Sequence, residues 1–271
     1  MPDRISDDLT KAIIEDNLIK FRHDAKNYDL LHPDIFNSRE QHRLKRILSK
    51  AVSMVQNPSK LVLDLGAGTG NVTSILLDMP HNKVVASDLS LEMLQKLKSK
   101  FKNCVEDRRL FLVCVNAEHL PFKKSRFGLV TMFSVVHHIP DYVKANEEIG
   151  FALAPGGVLF IDHEPSADVY GYSHIRETYY RFSIFLNSLY CKFHSIKGKN
   201  YKSRYADFYT SKDHQLVWSL VEDVNLRNNL RVQKKMTYLN YKTVYFNPLY
   251  YLLKFFIKDI QCYIFCKDGH S

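Results

Sequence analysis

The chain has 271 residues, 45% of them apolar and 25% charged, enough for one large core with an appended element and too few for two full domains. No apolar run approaches the roughly 20 residues of a membrane span, and "MPDRISDDLT" lacks the basic-then-apolar pattern of a signal peptide, so a cytoplasmic protein is expected. The formal charge of +9 is uneven: residues 166–271 carry 16 Lys/Arg against 8 Asp/Glu and 14 of the 16 tyrosines, while residues 1–165 are close to neutral.

In chain order, residues 14–52 read as two helices separated by a loop around Pro33. "KLVLDLG" is a short apolar run ending in glycine, hence a strand; "NVTSILLDM" opens a helix and "KVVASDLS" is a second strand. "LEMLQKLKSK" places Leu91, Leu94 and Leu97 at helical spacing with lysines opposite. "LFLVCVNAEHLPF" and "GLVTMFSVV" give a third and fourth strand, "YVKANEEIGFAL" a helix closed by "APGG", and "VLFIDHE" a fifth strand. Beyond it, residues 166–205 are helical and aromatic, "SKDHQLVWSLVEDV" is a helix, "LRVQKKMTYLNYKTVYF" is β-like and "IQCYIFCKD" is a last strand. Apolar strands alternating with helices imply an α/β protein, a doubly wound and mostly parallel sheet with right-handed crossovers. Ligands of such sheets sit outside the carboxyl ends of the strands. The five cysteines (Cys104, Cys114, Cys191, Cys262, Cys266) form no CxxC pair and four lie in apolar or aromatic runs, which predicts reduced, mostly buried thiols and no metal site.

The stretch "LVLDLGAGTGNVT" follows the first strand with Gly66, Gly68 and Gly70, and Asp64 precedes them. A dinucleotide loop has GxGxxG; here Asn71 stands where its third glycine belongs. Asp64 would repel a pyrophosphate but suits an ammonium, which favours S-adenosylmethionine (SAM), a ligand with an amino-acid tail, a sulfonium and no phosphate. Asp88 ends the second strand, where a carboxylate can accept from both ribose hydroxyls in either ligand class.

"VLDLGAGTG", "VVASDLSLEML", "NAEHLPF", "FGLVTMFSVVHHI" and "LAPGGVLFIDHE" stand in the order and spacing of class I SAM-dependent methyltransferases. Over about residues 55–165 the chain resembles their type 11, ubiquinone/menaquinone-biosynthesis-like branch, which acts on small molecules and lipids. The resemblance implies a seven-stranded Rossmann-like sheet. Residues 1–54 would be N-terminal helices covering the cofactor and 55–165 the SAM-binding core. Residues 166–210 would be a helical aromatic lid inserted after strand five, and 211–271 the C-terminal part of the core. It further implies that Asp64, Gly66, Ala67, Gly68 and Gly70 hold the methionine moiety. Asp88 would bind the ribose, with Leu89 and Met93 against the adenine and Asn116 and Ala117 at its edge. Phe133 and Ser134 would pass beneath the methionine part, and Tyr28, in a "YD" pair, would belong to helices that close over the cofactor. The family usually has Asp in place of Asn116; an amide carbonyl can still accept from the adenine amino group. It also usually has Asp in place of Gly128, a difference that bears on structure more than on chemistry.

SAM carries an activated methyl group, so the protein must chiefly align the acceptor. An acceptor that loses a proton also needs a base. Candidates stand at the ends of strands four and five: His138, paired with His137, then His163 and Glu164. Each could equally pack or bond to backbone. The lid offers His174, Arg176, Tyr179 and Tyr180 as acceptor contacts, or as residues buried against the core. The expectation is methyl transfer to a small-molecule or lipid-like acceptor, aromatic or anionic. RNA or protein methylation, or SAM binding without transfer, are the alternatives. Nucleic acid is disfavoured because the lysines are scattered among apolar residues. "NPLYYLLKFFIKD", apolar and flanked by lysines, invites weak membrane-surface contact or a homodimer contact.

Overall fold

The computed structural model describes residues 5–79, 83–170, 174–193, 203–205, 208–210, 214–243 and 246–269. Helix α1 (Asp7–Asp24) starts on Ser6, whose hydroxyl accepts from the Leu9 N–H. Where two helices and a loop were expected, the N-terminal region folds as four. After α1 come two single turns, α2 (Tyr28–Leu31) and α3 (Pro33–Phe36), and then α4 (Ser38–Ser53). Pro33 opens α3, where its missing N–H is no loss and its fixed φ suits a helix, so it starts a turn where a loop was expected.

The core follows as β1 (Leu61–Leu65), α5 (Asn71–Asp78), β2 (Val84–Asp88), α6 (Leu91–Lys100), α7 (Lys102–Glu106), β3 (Leu110–Cys114), β4 (Phe127–Phe133), α8 (Tyr142–Ala152) and β5 (Leu153–Pro165). The remainder adds α9 (His174–Phe193), α10 (Trp218–Arg227), β6 (Leu230–Tyr238), α11 (Pro248–Leu253) and β7 (Ile260–Lys267). The seven strands form one sheet in the order β3-β2-β1-β4-β5-β7-β6. The first five are parallel, and β7 enters antiparallel between β5 and β6. β4 is buried along its whole length, as a central parallel strand must be. β6, at the edge, is largely exposed and carries Arg231, Lys234 and Lys235, charges that discourage pairing with another sheet.

Side chains alternate between two apolar layers. Leu63, Val130, Leu159 and Phe265 pack with Ile149 and Trp218 on one face. Val62, Leu129, Phe160 and Ile264 pack with Leu44, Leu48, Ile75 and Leu76 on the other. Two boundaries differ from the pattern. β5 starts at Leu153, so "APGG" belongs to the strand, which pairs Leu153 with Phe127 before a register shift. α10 starts at Trp218, because the preceding stretch is partly extended and bridges Thr210 to Gln215. Of the four cysteines described, only Cys262 is buried and Cys114 is exposed, on an edge strand; the Cys191 side chain lies outside the described residues. Among the described residues no helix is long and apolar enough to cross a membrane. The strand order reverses between β1 and β4, and their carboxyl ends bound the crevice where such sheets take ligands.

Candidate functional site

The β1–α5 loop is tied to β2: the N–H groups of Gly66 and Ala67 both donate to Ser87 O, at 2.8 and 2.9 Å. Gly66 has φ +72°, and a Cβ there would lie 2.4 Å from Val135 Cγ2, so only glycine fits under the β4 loop. Gly68 has φ +54°, and a Cβ there would meet nothing within 4 Å; its open side is a backbone approach for a ligand. Its N–H donates to Asp88 Oδ2 at 2.8 Å, while Ser90 N–H donates to Oδ1 at 2.8 Å. Asp88 is thereby held at the tip of β2, and burial raises its carboxyl above the ordinary value against those backbone hydrogen bonds.

These groups border a single cleft. Tyr28, Gly66, Ala67, Gly68, Asp88, Leu89, Met93, Asn116, Ala117, Phe133, Ser134 and His138 all line it. Asp64 and Gly70 do not. Asp64 is 1% exposed beneath the loop, its carboxylate accepting from Thr73 Oγ1 at 2.6 Å and Thr131 Oγ1 at 2.8 Å. Burial pushes its pKa up to about 6, against the two threonine hydrogen bonds. Asp64 therefore braces the loop from below and presents no carboxylate to the cleft. Gly70 is the left-handed N-cap of α5. Asn116 Oδ1 accepts from Glu118 N–H at 2.9 Å, which leaves its second lone pair for a ligand.

The roof comes from the N-terminal helices. Ile14, Asn17, Leu18 and Phe21 of α1 and Ile35 and Phe36 of α3 line the cleft. Asn17 Nδ2 donates to His138 O at 3.1 Å, and Phe21 meets the His138 ring edge-on at 5.2 Å. Beside Tyr28, Asp29 latches the roof to the glycine loop through Thr69 Oγ1 and Lys100 Nζ. The "YD" pair thus divides its work: tyrosine in the cleft, aspartate on the latch. Burial first, then Asp34, Asp88, Asp24 and Asp29, raise the Tyr28 pKa, so its phenol stays neutral.

Sequence reasoning did not single out Asn17 or the roof residues around it. The available signal was one polar residue set at helical spacing between Ile13 and Phe21. Both Asn17 Oδ1 and Asn71 Nδ2 are buried, line the cleft and have no hydrogen-bond partner among the described residues. One acceptor and one donor are thus left over beside a glycine loop. They match an ammonium and a carboxylate, so the residues present fit the amino-acid end of SAM.

The residues after β5 behave differently from one another. Glu164 is fully buried and its carboxylate accepts from the N–H groups of Val135 (2.6 Å), Val136 (2.9 Å) and His137 (3.2 Å) and meets His137 Nδ1 at 2.7 Å. Burial works to raise its pKa, but His137 and the backbone donors outweigh it and hold the carboxyl below the ordinary value. Glu164 is an anchor for the turn after β4. His163, 6% exposed, stacks on Phe133 with ring centroids 4.9 Å apart and centroid planes at 24°.

The lid residues scatter. His174 is exposed, Arg176 half-buried, and Arg181 pairs with Glu177 on the outer face of α9. Tyr179 is fully buried with its hydroxyl on Asn240 O, and the Tyr180 hydroxyl donates to Asp259 Oδ2 at 2.6 Å. The two tyrosine hydroxyls pin α9 to the segment before β7.

A family model described as a methyltransferase domain matches residues 63–161, from β1 into β5. Residues 63–161 are a class I methyltransferase domain. SAM is the methyl donor that this domain is built to bind. The chain is 32% identical over 143 residues to the ubiquinone/menaquinone biosynthesis C-methyltransferase of Wigglesworthia glossinidia brevipalpis, covering 52% of this chain and 56% of the relative. It is 32% identical over 144 residues to the mitochondrial 2-methoxy-6-polyprenyl-1,4-benzoquinol methylase of Caenorhabditis elegans, covering 52% and 50%. The chain thus spans about half the length of these curated relatives. Among solved structures, the magnesium protoporphyrin IX methyltransferase of Synechocystis PCC 6803 with bound S-adenosylhomocysteine (SAH) aligns over 94% of this chain and all of its own, with TM-score 0.55 and 12% identity. A [4+2]-cyclase aligns over 93% and 97%, with TM-score 0.56 and 14% identity. One architecture therefore carries more than one chemistry, and the residues of the domain must argue the rest.

Proposed function

We propose that the chain transfers a methyl group from SAM, bound in the cleft under the N-terminal helices, to a small-molecule acceptor. The observation that carries this reading is charge. Among the described residues lining the cleft there is one carboxylate, Asp88, and no Lys or Arg. A pyrophosphate would find no countercharge there, whereas a ribose finds an acceptor in Asp88 and a sulfonium meets no repelling cation.

In this reading the loop Gly66–Gly70 and the unpartnered amide atoms of Asn17 and Asn71 hold the amino-acid end. Asp88 takes the ribose hydroxyls, and Leu89, Met93, Asn116 and Ala117 surround the adenine. Phe133 and Ser134 form the floor toward the acceptor. Once bound, SAM supplies a methyl group already activated by its sulfonium. The chain's contribution is to aim an acceptor at it and to exclude water, which the closed roof of α1 and α3 supports. Supporting a lipid-like acceptor are Leu252, Phe255 and Phe256, which are 64%, 71% and 80% exposed beside Lys254.

Calorimetry of the purified chain with SAM, SAH and NAD tests the reading. Uptake of SAM and SAH without NAD is expected; uptake of NAD and neither of the others overturns it.

A further inference from the structure

Two side-chain amides border the cleft, Asn17 from the roof and Asn71 from the start of α5, and backbone carbonyls fix which end of each is left over. Gln41, on α4, does not itself line the cleft. Its Nε2 donates to Ile35 O at 2.8 Å and to Asn71 Oδ1 at 2.7 Å. A backbone carbonyl only accepts, so the Gln41 atom beside Ile35 O is the N–H₂ nitrogen. The Asn71 atom that meets this nitrogen is then the oxygen, and Asn71 Nδ2 is turned away from Gln41. Reversing Asn71 would set one N–H₂ against another, and reversing Gln41 would set its oxygen against the Ile35 carbonyl.

Asn17 is fixed in the same manner. Its Nδ2 donates to His138 O at 3.1 Å, which leaves Oδ1 as the remaining end. Asn71 Nδ2 and Asn17 Oδ1 are both buried without a hydrogen-bond partner among the described residues. The chain therefore holds one donor and one acceptor in set directions, each at the cost of an unmet polar atom.

Charge around the pair separates their tasks. Asn71 opens α5, whose N-cap, Gly70, has no side chain to offer, and the partial positive charge of a helix N-terminus favours an anion there. No Lys or Arg lines the cleft among the described residues, so a bound carboxylate must be met by neutral N–H groups. A Lys or Arg at that point would also repel a sulfonium, which an amide does not. Gln41 has a second task as well: Ile35, whose carbonyl it holds, belongs to α3 and lines the cleft, so one N–H₂ group both seats the roof and aims Asn71.

We infer that Gln41 is a positioning residue for the amino-acid end of the cofactor. It holds Asn71 with its N–H₂ toward the cofactor carboxylate, while Asn17 Oδ1 accepts from the ammonium. The inference rests on the methyl-transfer reading and deepens it, assigning each amide to one end of the zwitterion and adding a residue that never touches the ligand. Two neutral amides of opposed polarity thus read a zwitterion without a cation of the chain's own.

Calorimetry of the full chain tests the assignment with three ligands: SAH, an SAH analogue lacking the carboxylate and one lacking the amino group. Wild-type chain should prefer SAH to either analogue. The variant Gln41→Met keeps the side-chain length and removes the amide. It should lower the preference for SAH over the carboxylate-lacking analogue about tenfold, and continued binding of that analogue shows that the variant is folded. In an Asn71→Ala background, Gln41→Met should add no more than a twofold loss of SAH affinity, because a residue acting through Asn71 has nothing left to position. Asn17→Leu should instead lower the preference for SAH over the amino-lacking analogue. Equal loss of all three ligands in Gln41→Met, a full additional loss in the Asn71→Ala background, or the two amides answering to the opposite ends of the ligand each overturns the assignment and leaves the methyl-transfer reading standing. Wild-type chain that binds SAH and both analogues equally does the same. Wild-type chain that binds none of the three overturns the methyl-transfer reading, and the assignment falls with it.

Discussion

The crevice at the ends of β1 and β2 and the buried carboxyl end of β5 both adjoin Phe133, and they are finished differently. In the first, the two acids are satisfied, Asp64 by two threonine hydroxyls and Asp88 by two backbone N–H groups, and the unmet atoms are the amide atoms of Asn17 and Asn71. In the second, Arg43, His163 and Asn240 leave four polar atoms unmet. The contrast repeats at single-residue scale, where Glu164 has four donors around it and His163, its neighbour, has none on its ring. A carboxylate whose oxygens are all met holds its neighbours in place before any ligand arrives, whereas a buried polar atom without a partner carries an uncompensated desolvation cost.

The largest expected effect breaks the satisfied side. Glu164→Gln puts an amide N–H₂ among backbone donors and removes a buried charge that compensates His137, and should cost about 2–4 kcal/mol in urea unfolding. Its neighbouring variant His163→Asn should cost less than about 1 kcal/mol, since no hydrogen bond is lost. Similar costs for both would erase the distinction between an anchoring carboxylate and an unpaired ring.

The pH dependence sharpens the same contrast. Asp64 has a folded pKa of about 6, above its unfolded value, so the native state binds more protons and is stabilised as pH falls through 6. Between pH 7 and pH 5 the wild type should gain about 1 kcal/mol relative to Asp64→Asn, read from urea midpoints. Glu164 has the opposite sign. Its lowered pKa contributes stability that is present above the unfolded glutamate value and lost as pH drops through the folded one. A flat difference between wild type and Asp64→Asn would place Asp64 in contact with solvent or ligand.

The smallest effect concerns the exposed end of the second half. Replacing Phe255 and Phe256 together by Ser should leave unfolding within about 0.5 kcal/mol of wild type, because both are exposed. Co-sedimentation with anionic phospholipid vesicles should fall several-fold if this end meets a lipid surface. Unchanged sedimentation removes the support for a lipid-borne acceptor.

Much of the core was legible because its signals are local. "VLDLGAGTG" specifies a strand, a turn that needs glycine and a helix within ten residues, and five such stretches in order imply the parallel sheet. Pro33 and the start of α10 were misjudged for local reasons too: proline at a helix start resembles proline in a loop, and a helical pattern around Trp218 does not reveal an extended stretch ahead of it. The candidate site was half legible. Of the residues expected to hold the cofactor, Gly68, Asp88 and Phe133 line the cleft, whereas Asp64 and the expected base Glu164 are buried with their oxygens already bonded.

The amino-acid sequence by itself determined the order of elements and the glycine turn, because each depends on neighbours a few residues away, whereas its argument for the ligand class rested on Asp64, which the fold turns away from the cleft. Only the tertiary structure decided which acids are braces and which histidine is left unpaired. The partners of Asp64 and Glu164 come from other strands, with Thr131 lying 67 residues from Asp64 and Val135 lying 29 from Glu164. Hydrogen bonds across such separations exist only once the sheet has brought its strands side by side, and they determine whether a carboxylate holds the fold or faces a ligand.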